Sequence, residues 1–427
     1  MKVLVLNSYG RADKGDAALL AALIEQVQSF APDAQFAIAG TEDPAEFPDF
    51  EGHENVYAMR QYAALDAGAG LLATARNIVF KLWTLATTQV AIAHPAFSFL
   101  AARKLAAYRR AFREADMVLS VGGGYFNAKD PLKSTAHILF VTRPLNLAKK
   151  MGKFVAVAPV SVGPFTRPYQ AGMVGRCFDK LDLVLVRENI SFEVAQSIMK
   201  VKKPVRAVDS GFDFNPVGEY DLRKELNLQA TDKIIAMTVR KSFAGARQAQ
   251  YEKNVADFIA LLARDMPDYK VVFMPQCTAQ LHGDDDRAVA RRICAYLPEG
   301  QKQAIVIEDD LDYRTLKLAY QHADYVIGTR FHSVIFALPY DVPALGLEYE
   351  HKTRGIMREL GLEHWIIKVN ELSGAALMQL FTELVDNRDA YLATVHKTLP
   401  PYIEQAKKAA TLIQQAYERH LRDDSAA

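Results

Sequence analysis

Short, wholly apolar runs alternate with amphipathic stretches along almost the entire chain, and no other feature narrows the fold so far. Lys2–Leu6, Gln35–Ala39, Asn55–Ala58, Met117–Val121, Phe154–Ala158, Leu183–Val186 and Val205–Val208 read as strands, with helical periodicity over Ala17–Phe30 and Ser191–Lys200. A second series follows at Lys233–Val239, Tyr269–Met274, Ala304–Ile307, Asp324–Ile327, Ala344–Leu347 and Trp365–Val369. Strands that are apolar on both faces belong in parallel sheets covered on both sides by helices. The expectation is an α/β protein of two Rossmann-like, doubly wound domains facing a cleft.

A chain of 427 residues suits two domains of roughly 100–200 residues each. The alternation weakens over Asp209–Asp232, where Gly211, Pro216 and Gly218 interrupt it. The expected division is a first domain at 1–215 with a helical insert at about 65–114, a second at 230–385, and a helical tail at 386–427. Charge adds an exclusion. The 51 Lys and Arg nearly cancel the 50 Asp and Glu, so there is no concentrated basic field and no nucleic-acid partner is expected. Any anion site must be local.

The three cysteines, Cys177, Cys277 and Cys294, form no Cys-x-x-Cys pair. An odd, scattered set argues against a disulfide framework or a zinc site and fits a reducing compartment. Lys2–Leu6 reads directly as a strand, with no secretory-signal pattern, so a cytoplasmic protein is expected. Leu82–Ala102 carries no Asp, Glu, Lys or Arg. Its Thr84, Thr87, Thr88, Gln89 and His94 nevertheless favour two packed helices broken at Pro95 over a membrane span. Peripheral contact with the inner face of a membrane, or with a lipid-linked substrate, stays open, as does homo-oligomerisation.

Ligands of such sheets bind beyond the carboxyl ends of the strands, so the turns into helices carry the chemistry. The first is Asn7-Ser8-Tyr9-Gly10, continuing to Lys14-Gly15-Asp16-Ala17, where Asp16 reads either as a ligand-facing acid or as the helix N-cap. After Met117–Val121 come Gly122, Gly123 and Gly124, which read as a backbone cradle for ligand oxygens or as a tight turn. Ser161 and Gly163 end another strand. Arg187 follows Val186 and suits a carboxylate or phosphate, or an ion pair with Glu188 or a neighbouring helix. Asp284-Asp285-Asp286 and Glu308-Asp309-Asp310 read as acidic helix entries rather than metal sites. Arg240-Lys241-Ser242 is a cationic turn or a solvated surface.

The strongest segment is Gly328-Thr329-Arg330-Phe331-His332-Ser333-Val-Ile-Phe-Ala-Leu338. A strand stops at Gly328 and a helix starts near His332, so backbone N–H groups, a guanidinium and an imidazole can converge on one anion. The helix end should lower the His332 pKa and a bound phosphate should raise it again. Lys352, after the next strand, is offered to the same cleft.

In this order the motifs resemble the polysaccharide pyruvyl transferase family, from Asn7 to about Gly355. The most specific match is Gly328–Leu338 with Pro343 and Lys352. Gly122-Gly123-Gly124-Tyr125-Phe126, Ser161-Val162-Gly163-Pro164-Phe165, and Arg187-Glu188 with Ser191 support it. The family's early Gly-Asn-x-Gly-Asp signature keeps Gly15-Asp16, but its lead is replaced by Arg11-Ala12-Asp13-Lys14.

The resemblance implies a GT-B-like fold and transfer of a pyruvyl unit from phosphoenolpyruvate to two sugar hydroxyls, forming a ketal. The acceptor would be a nucleotide-linked, lipid-linked or polymeric glycan. His332 would be the acid or the partner of the leaving phosphate, and Asp16 a base for the sugar hydroxyl. Arg330, Arg187 and Lys352 would clamp the anion, with Gly123, Gly124, Ser161, Gly163 and Ser333 lining the substrate. No cofactor beyond phosphoenolpyruvate as donor is expected, and no metal. The alternatives are a GT-B glycosyltransferase or nucleotide-sugar epimerase, and a non-catalytic scaffold of a polysaccharide assembly complex.

Overall fold

The computed structural model describes all residues except 59–70, 129, 130, 132, 242, 244, 280–283 and 427. The start of the expected insert, Leu65–Gly70, and Ser242 lie outside the described residues. Two compact units are present: Met1–Gly10, Leu19–Ser210 and Gln405–Ala427 form one, Arg11–Ala18 and Gly211–Glu404 the other. The units therefore do not follow chain order as an uninterrupted 1–215 and 230–385 would. A short early segment belongs to the second unit, and the end of the helical tail to the first.

The first unit is built on a sheet of β1 (Lys2–Leu6), β2 (Gln35–Gly40), β3 (Asp49–Phe50), β4 (His53–Tyr57), β5 (Met117–Ser120), β6 (Gly123–Ala128), β7 (Phe154–Phe165), β8 (Leu183–Val186) and β9 (Val205–Arg206). Its order is β3-β4-β2-β1-β5-β7-β8-β9, with β6 paired to β7. Every pairing is parallel except β3 with β4. All residues of β5 and β8 are buried, as strands covered on both faces require. The tail helix, Arg388–Ala426, lays Ala409, Ile413 and Ala416 into the same core, and Tyr417 meets Phe154 edge-on at 5.3 Å.

The second unit carries β10 (Lys233–Thr238), β11 (Tyr269–Phe273), β14 (Ala304–Val306), β15 (Tyr325–Gly328), β16 (Ala344–Glu348) and β17 (Ile366–Lys368). They form an all-parallel sheet in the order β14-β11-β10-β15-β16-β17. Between them, β12 (Thr278–Ala279) and β13 (Asp284–Asp285) make a small antiparallel ribbon. Successive strands run one way from β10 through β11 to β14, and the other way from β15 to β17. The strand order reverses between β10 and β15, and in open α/β sheets that reversal opens a crevice at the carboxyl ends.

Two expectations about turns need correction. Gly123 and Gly124 begin strand β6, and Ser161 and Gly163 lie inside β7, which runs on to Phe165. The physical reason is that β6 supplies a partner: Gly123 pairs with Val160, Phe126 with Val162 and Ala128 with Phe165. The second half of β7 therefore has hydrogen bonds to make and stays extended. Gly122 is needed for packing, since a Cβ there would stand 2.9 Å from the Pro159 carbonyl. The helix of Leu71–Ala93 does break before Pro95, and Pro95–Leu100 continues as a 3-10 helix.

Candidate functional site

The turn at the β10–β15 reversal is locked by buried hydroxyls. The Thr238 carbonyl accepts the Thr329 N–H at 3.2 Å, and Thr238 Oγ1 accepts the Arg330 N–H at 3.1 Å. Ser333 Oγ donates to the Arg330 carbonyl at 2.6 Å and lies 3.1 Å from Thr238 Oγ1. Tyr251 Oη and Thr329 Oγ1 are 2.8 Å apart. A Cβ on Gly328 would overlap Ser333 Oγ, so any side chain here would displace the hydroxyl that closes the turn. Thr329 and Ser333 are fully buried, which corrects the expectation that the Ser333 side chain lines substrate: its hydroxyl closes the turn. The result is a rigid platform from which Arg330 and His332 project, at the start of the Phe331–Ala337 helix.

Arg330 points into a nest of acids. Its Nε donates to both Asp286 oxygens at 3.2 Å, and its Nη2 donates to Asp286 Oδ1 and Asp284 Oδ1, both at 2.7 Å. Nη1 stands 3.7 Å from Asp13 Oδ2. Asp286 also accepts the Gln276 N–H at 3.1 Å and the Cys277 N–H at 2.9 Å. Burial works against the charge on Arg330, but Asp286, Asp13 and Asp284 raise its pKa well above the ordinary value. Burial pushes the Asp286 carboxyl up to about 6, against the opposing pull of Arg330. In this arrangement the guanidinium fork is occupied by the protein's own carboxylates. The expected role of anion clamp therefore gives way to that of an internal tie, because three acids already neutralise it.

The acids were only half legible. Asp285 caps the Asp286–Cys294 helix through the Arg287 N–H, as an acidic helix entry should. Asp284 and Asp286 flank it and both turn to Arg330. Asp13 carries no motif of its own in the sequence. The signal for it was the departure of Arg11–Lys14 from the expected loop.

That loop is stitched to the second unit by backbone. Lys14 N–H donates to the Gln276 carbonyl and Thr278 N–H to the Ala12 carbonyl, each at 2.8 Å, and Asp13 bridges Cys277. Lys14 itself is buried, its Nζ 2.6 Å from Asp310 Oδ1. Asp13 Oδ1 accepts the N–H groups of Gly15 and Asp16 at 3.1 and 3.2 Å. Asp13, rather than Asp16, thus plays the N-cap, and the helix starts at Lys14 instead of Ala17. Burial resists ionisation of Asp13, yet Arg330, His332, the Asp16 N–H and Lys352 together hold its carboxyl below the ordinary value.

His332 completes the cluster. Its ring lies against Gly15, where a Cβ would overlap Nδ1 and Cγ. Lys352 stands nearby electrostatically, its Nζ 3.5 Å from Glu350 and 5.9 Å from the Tyr349 ring centre. The Arg240 guanidinium lies over the same ring, 4.2 Å from its centre, and is half-buried, while Lys241 after it is exposed. The second unit therefore gathers Asp13, Arg330, His332 and Lys352 at one place. Asp16, half-exposed, sits one helical step along from Gly15.

Arg187, Ser161 and Gly163 belong to the first unit. Arg187 is buried, donating from Nε to Ser161 Oγ at 2.8 Å and from Nη1 to Asp209 Oδ2 at 2.6 Å. Ser161 Oγ donates to Glu188 Oε2 at 2.9 Å, and Ser191 Oγ closes on Glu188. This is the ion-pair reading of the turn, with Asp209 as the main partner. Burial raises the Glu188 carboxyl, with Arg187 opposing. Among the described residues, no group of three or more His, Cys, Asp or Glu is arranged to hold a metal ion.

The pair of doubly wound units is the architecture of GT-B enzymes, and solved structures agree. A putative UDP-N-acetylglucosamine 2-epimerase from Listeria monocytogenes aligns over 99% of this chain and 97% of that chain, with a TM-score of 0.59 and 15% identity. The calicheamicin glycosyltransferase CalG4 aligns over 98% of each, with a TM-score of 0.52 and 12% identity. At such identities the likeness defines the fold.

The sequence goes further. The family model for polysaccharide pyruvyl transferase matches residues 13–351, and the chain belongs to that family. The amylovoran biosynthesis protein AmsJ of Erwinia amylovora is 25% identical over 410 residues, covering 91% of this chain and 92% of that protein. The matched span opens on Asp13 and takes in Arg330 and His332.

Proposed function

We propose that this protein transfers a pyruvyl unit from phosphoenolpyruvate to two hydroxyls of a glycan acceptor, in the biosynthesis of an extracellular polysaccharide. The observation that carries the reading is His332, held against Gly15 beside Asp13 and Lys352 at the β10–β15 reversal, inside the span that matches the family. The relative's role in amylovoran biosynthesis supports an exopolysaccharide context.

The reaction asks for a proton on the methylene carbon of phosphoenolpyruvate. The resulting oxocarbenium-like carbon is attacked by one sugar hydroxyl. Phosphate leaves, and a second hydroxyl closes the ketal. Of the two hydroxyl protons, one balances the new methyl group and one departs with phosphate. His332 is assigned the proton delivery, either to carbon or to the leaving phosphate. Asp13, whose carboxylate feels the imidazole, stabilises its protonated form. Lys352 and Arg240 supply positive charge for the donor's carboxylate and phosphate. Arg330 acts through Asp13 and Asp286 as a positioning residue. Asp16 is retained as a candidate base for the acceptor hydroxyl.

A glycosyltransferase or epimerase reading shares the fold but predicts a different ligand. Calorimetric titration separates them: phosphoenolpyruvate should bind in a manner sensitive to Lys352→Ala, whereas the rival enzymes would bind a UDP-sugar and no phosphoenolpyruvate. The reverse preference would overturn the proposal.

A further inference from the structure

The Leu71–Ala93 helix of the first unit is inside out. Val79, Leu82, Trp83, Ala86 and Val90 recur at helical spacing along one face, and that face is exposed, with Val79 at 66% and Trp83 at 62%. The opposite face is buried, although it carries Asn77, Thr84 and Thr88 beside Leu85, Ala91 and Ile92. An ordinary surface helix does the reverse. The apolar surface continues into Pro95–Leu100, where no residue is buried and Phe99 is 79% exposed. Exposed apolar residues scattered singly mean little, but a contiguous stripe ending in aromatic side chains marks a surface that meets something.

Charge says what that something is. From residue 67 to residue 113 the sequence holds no Asp or Glu, while seven residues are Lys or Arg. Arg76, Arg103 and Lys104 of this segment are exposed. Apolar and aromatic groups on one face, on a segment that itself carries cations and no acids, match a lipid surface with negative headgroups. The described helices include none long and apolar enough to cross a membrane, so the segment would lie on the bilayer rather than span it.

We infer that the Leu71–Ala93 helix and the Pro95–Leu100 turn form a docking surface for an anionic lipid bilayer, with Trp83 and Phe99 entering the headgroup layer. This holds whether or not the transfer reaction proposed above is correct, since it rests on a different part of the chain.

The test uses the full-length protein and sedimentation with phosphatidylcholine vesicles, with and without phosphatidylglycerol. The protein should pellet with the phosphatidylglycerol vesicles and be released by salt. Arg103→Gln/Lys104→Gln should weaken binding by roughly fivefold per charge removed. Trp83→Glu/Phe99→Glu should abolish it while far-ultraviolet circular dichroism stays native. In a Trp365→Phe background, Trp83 is the sole tryptophan, and its emission should shift to the blue on binding. No partition to anionic vesicles overturns the inference. So does undiminished binding by the folded Trp83→Glu/Phe99→Glu variant, or a wild-type dimer that this variant converts to monomer without any vesicle binding, which would assign the face to a second copy of the chain.

Discussion

The imidazole of His332 rests on Gly15, two residues beyond Asp13, in the space a side chain at position 15 would need. Gly15 has helical backbone geometry, so alanine suits it locally and would even raise helix propensity, by about 1 kcal/mol in an isolated helix. The gain cannot be realised without moving His332. Gly15→Ala should therefore fold normally but lose most turnover, with circular dichroism and kcat measured on the same sample. Normal turnover would show that the ring has no fixed place.

Arg330 leads to a different outcome from that of a surface cation. Its removal leaves Asp286 and Asp284 without their main counter-charge, and breaking a buried pair this way costs about 3–5 kcal/mol. Arg330→Ala should lower the urea midpoint sharply, and Arg330→Lys should recover only part of the loss because a single ammonium cannot reproduce the fork. A variant of native stability with selectively weakened phosphoenolpyruvate binding would restore the direct-clamp role.

Asp286 sets the pH dependence of that tie. Its folded-state value of about 6 lies above the ordinary 3.8, so folding takes up a proton between the two. A group shifted upward contributes stability that is present below its unfolded value and lost as pH rises through the folded one. Asp286→Asn does not titrate. The stability difference, wild type minus variant, should therefore increase as pH falls from about 7 to about 5, in urea titrations at each pH. A constant or shrinking difference would contradict the assignment.

How much of this could be read from sequence depends on how local its cause is. Leu183–Val186 has the same limits in sequence and structure, because four consecutive apolar residues bounded by charge admit little else. Strand β6 was illegible: its leading glycines carry no apolar signal, and only pairing with β7 makes it a strand. At the site, Gly328 and the helix after it were local features. The acids that occupy Arg330 come from Asp284 and Asp286, 46 and 44 residues away, and from Asp13 still further off. A guanidinium at a strand end reads equally as an anion site or an internal tie until its partners are known.

One of the three thiols, Cys277, reports on the site. Burial pushes Cys277, beside Asp13, and Cys177 up to about 12. Both thiols then stay protonated at mildly alkaline pH and should react with a thiol reagent only after unfolding, while half-buried Cys294 reacts first. Rapid labelling of Cys277 in the native protein, located by peptide mass mapping, would show that the Asp13–Cys277 bridge opens readily.

The central claim is PEP-dependent transfer directed by His332. Phosphate release from phosphoenolpyruvate should be measured across nucleotide-linked, lipid-linked and polymeric sugar acceptors, alongside mass spectrometry of the acceptor. Wild-type protein should release phosphate only with a competent acceptor, which gains the mass of one pyruvic acid less one water. His332→Ala should slow this by roughly 10²–10⁴-fold while remaining folded. Absence of release with every acceptor, or full activity of the folded His332→Ala variant, would contradict the account.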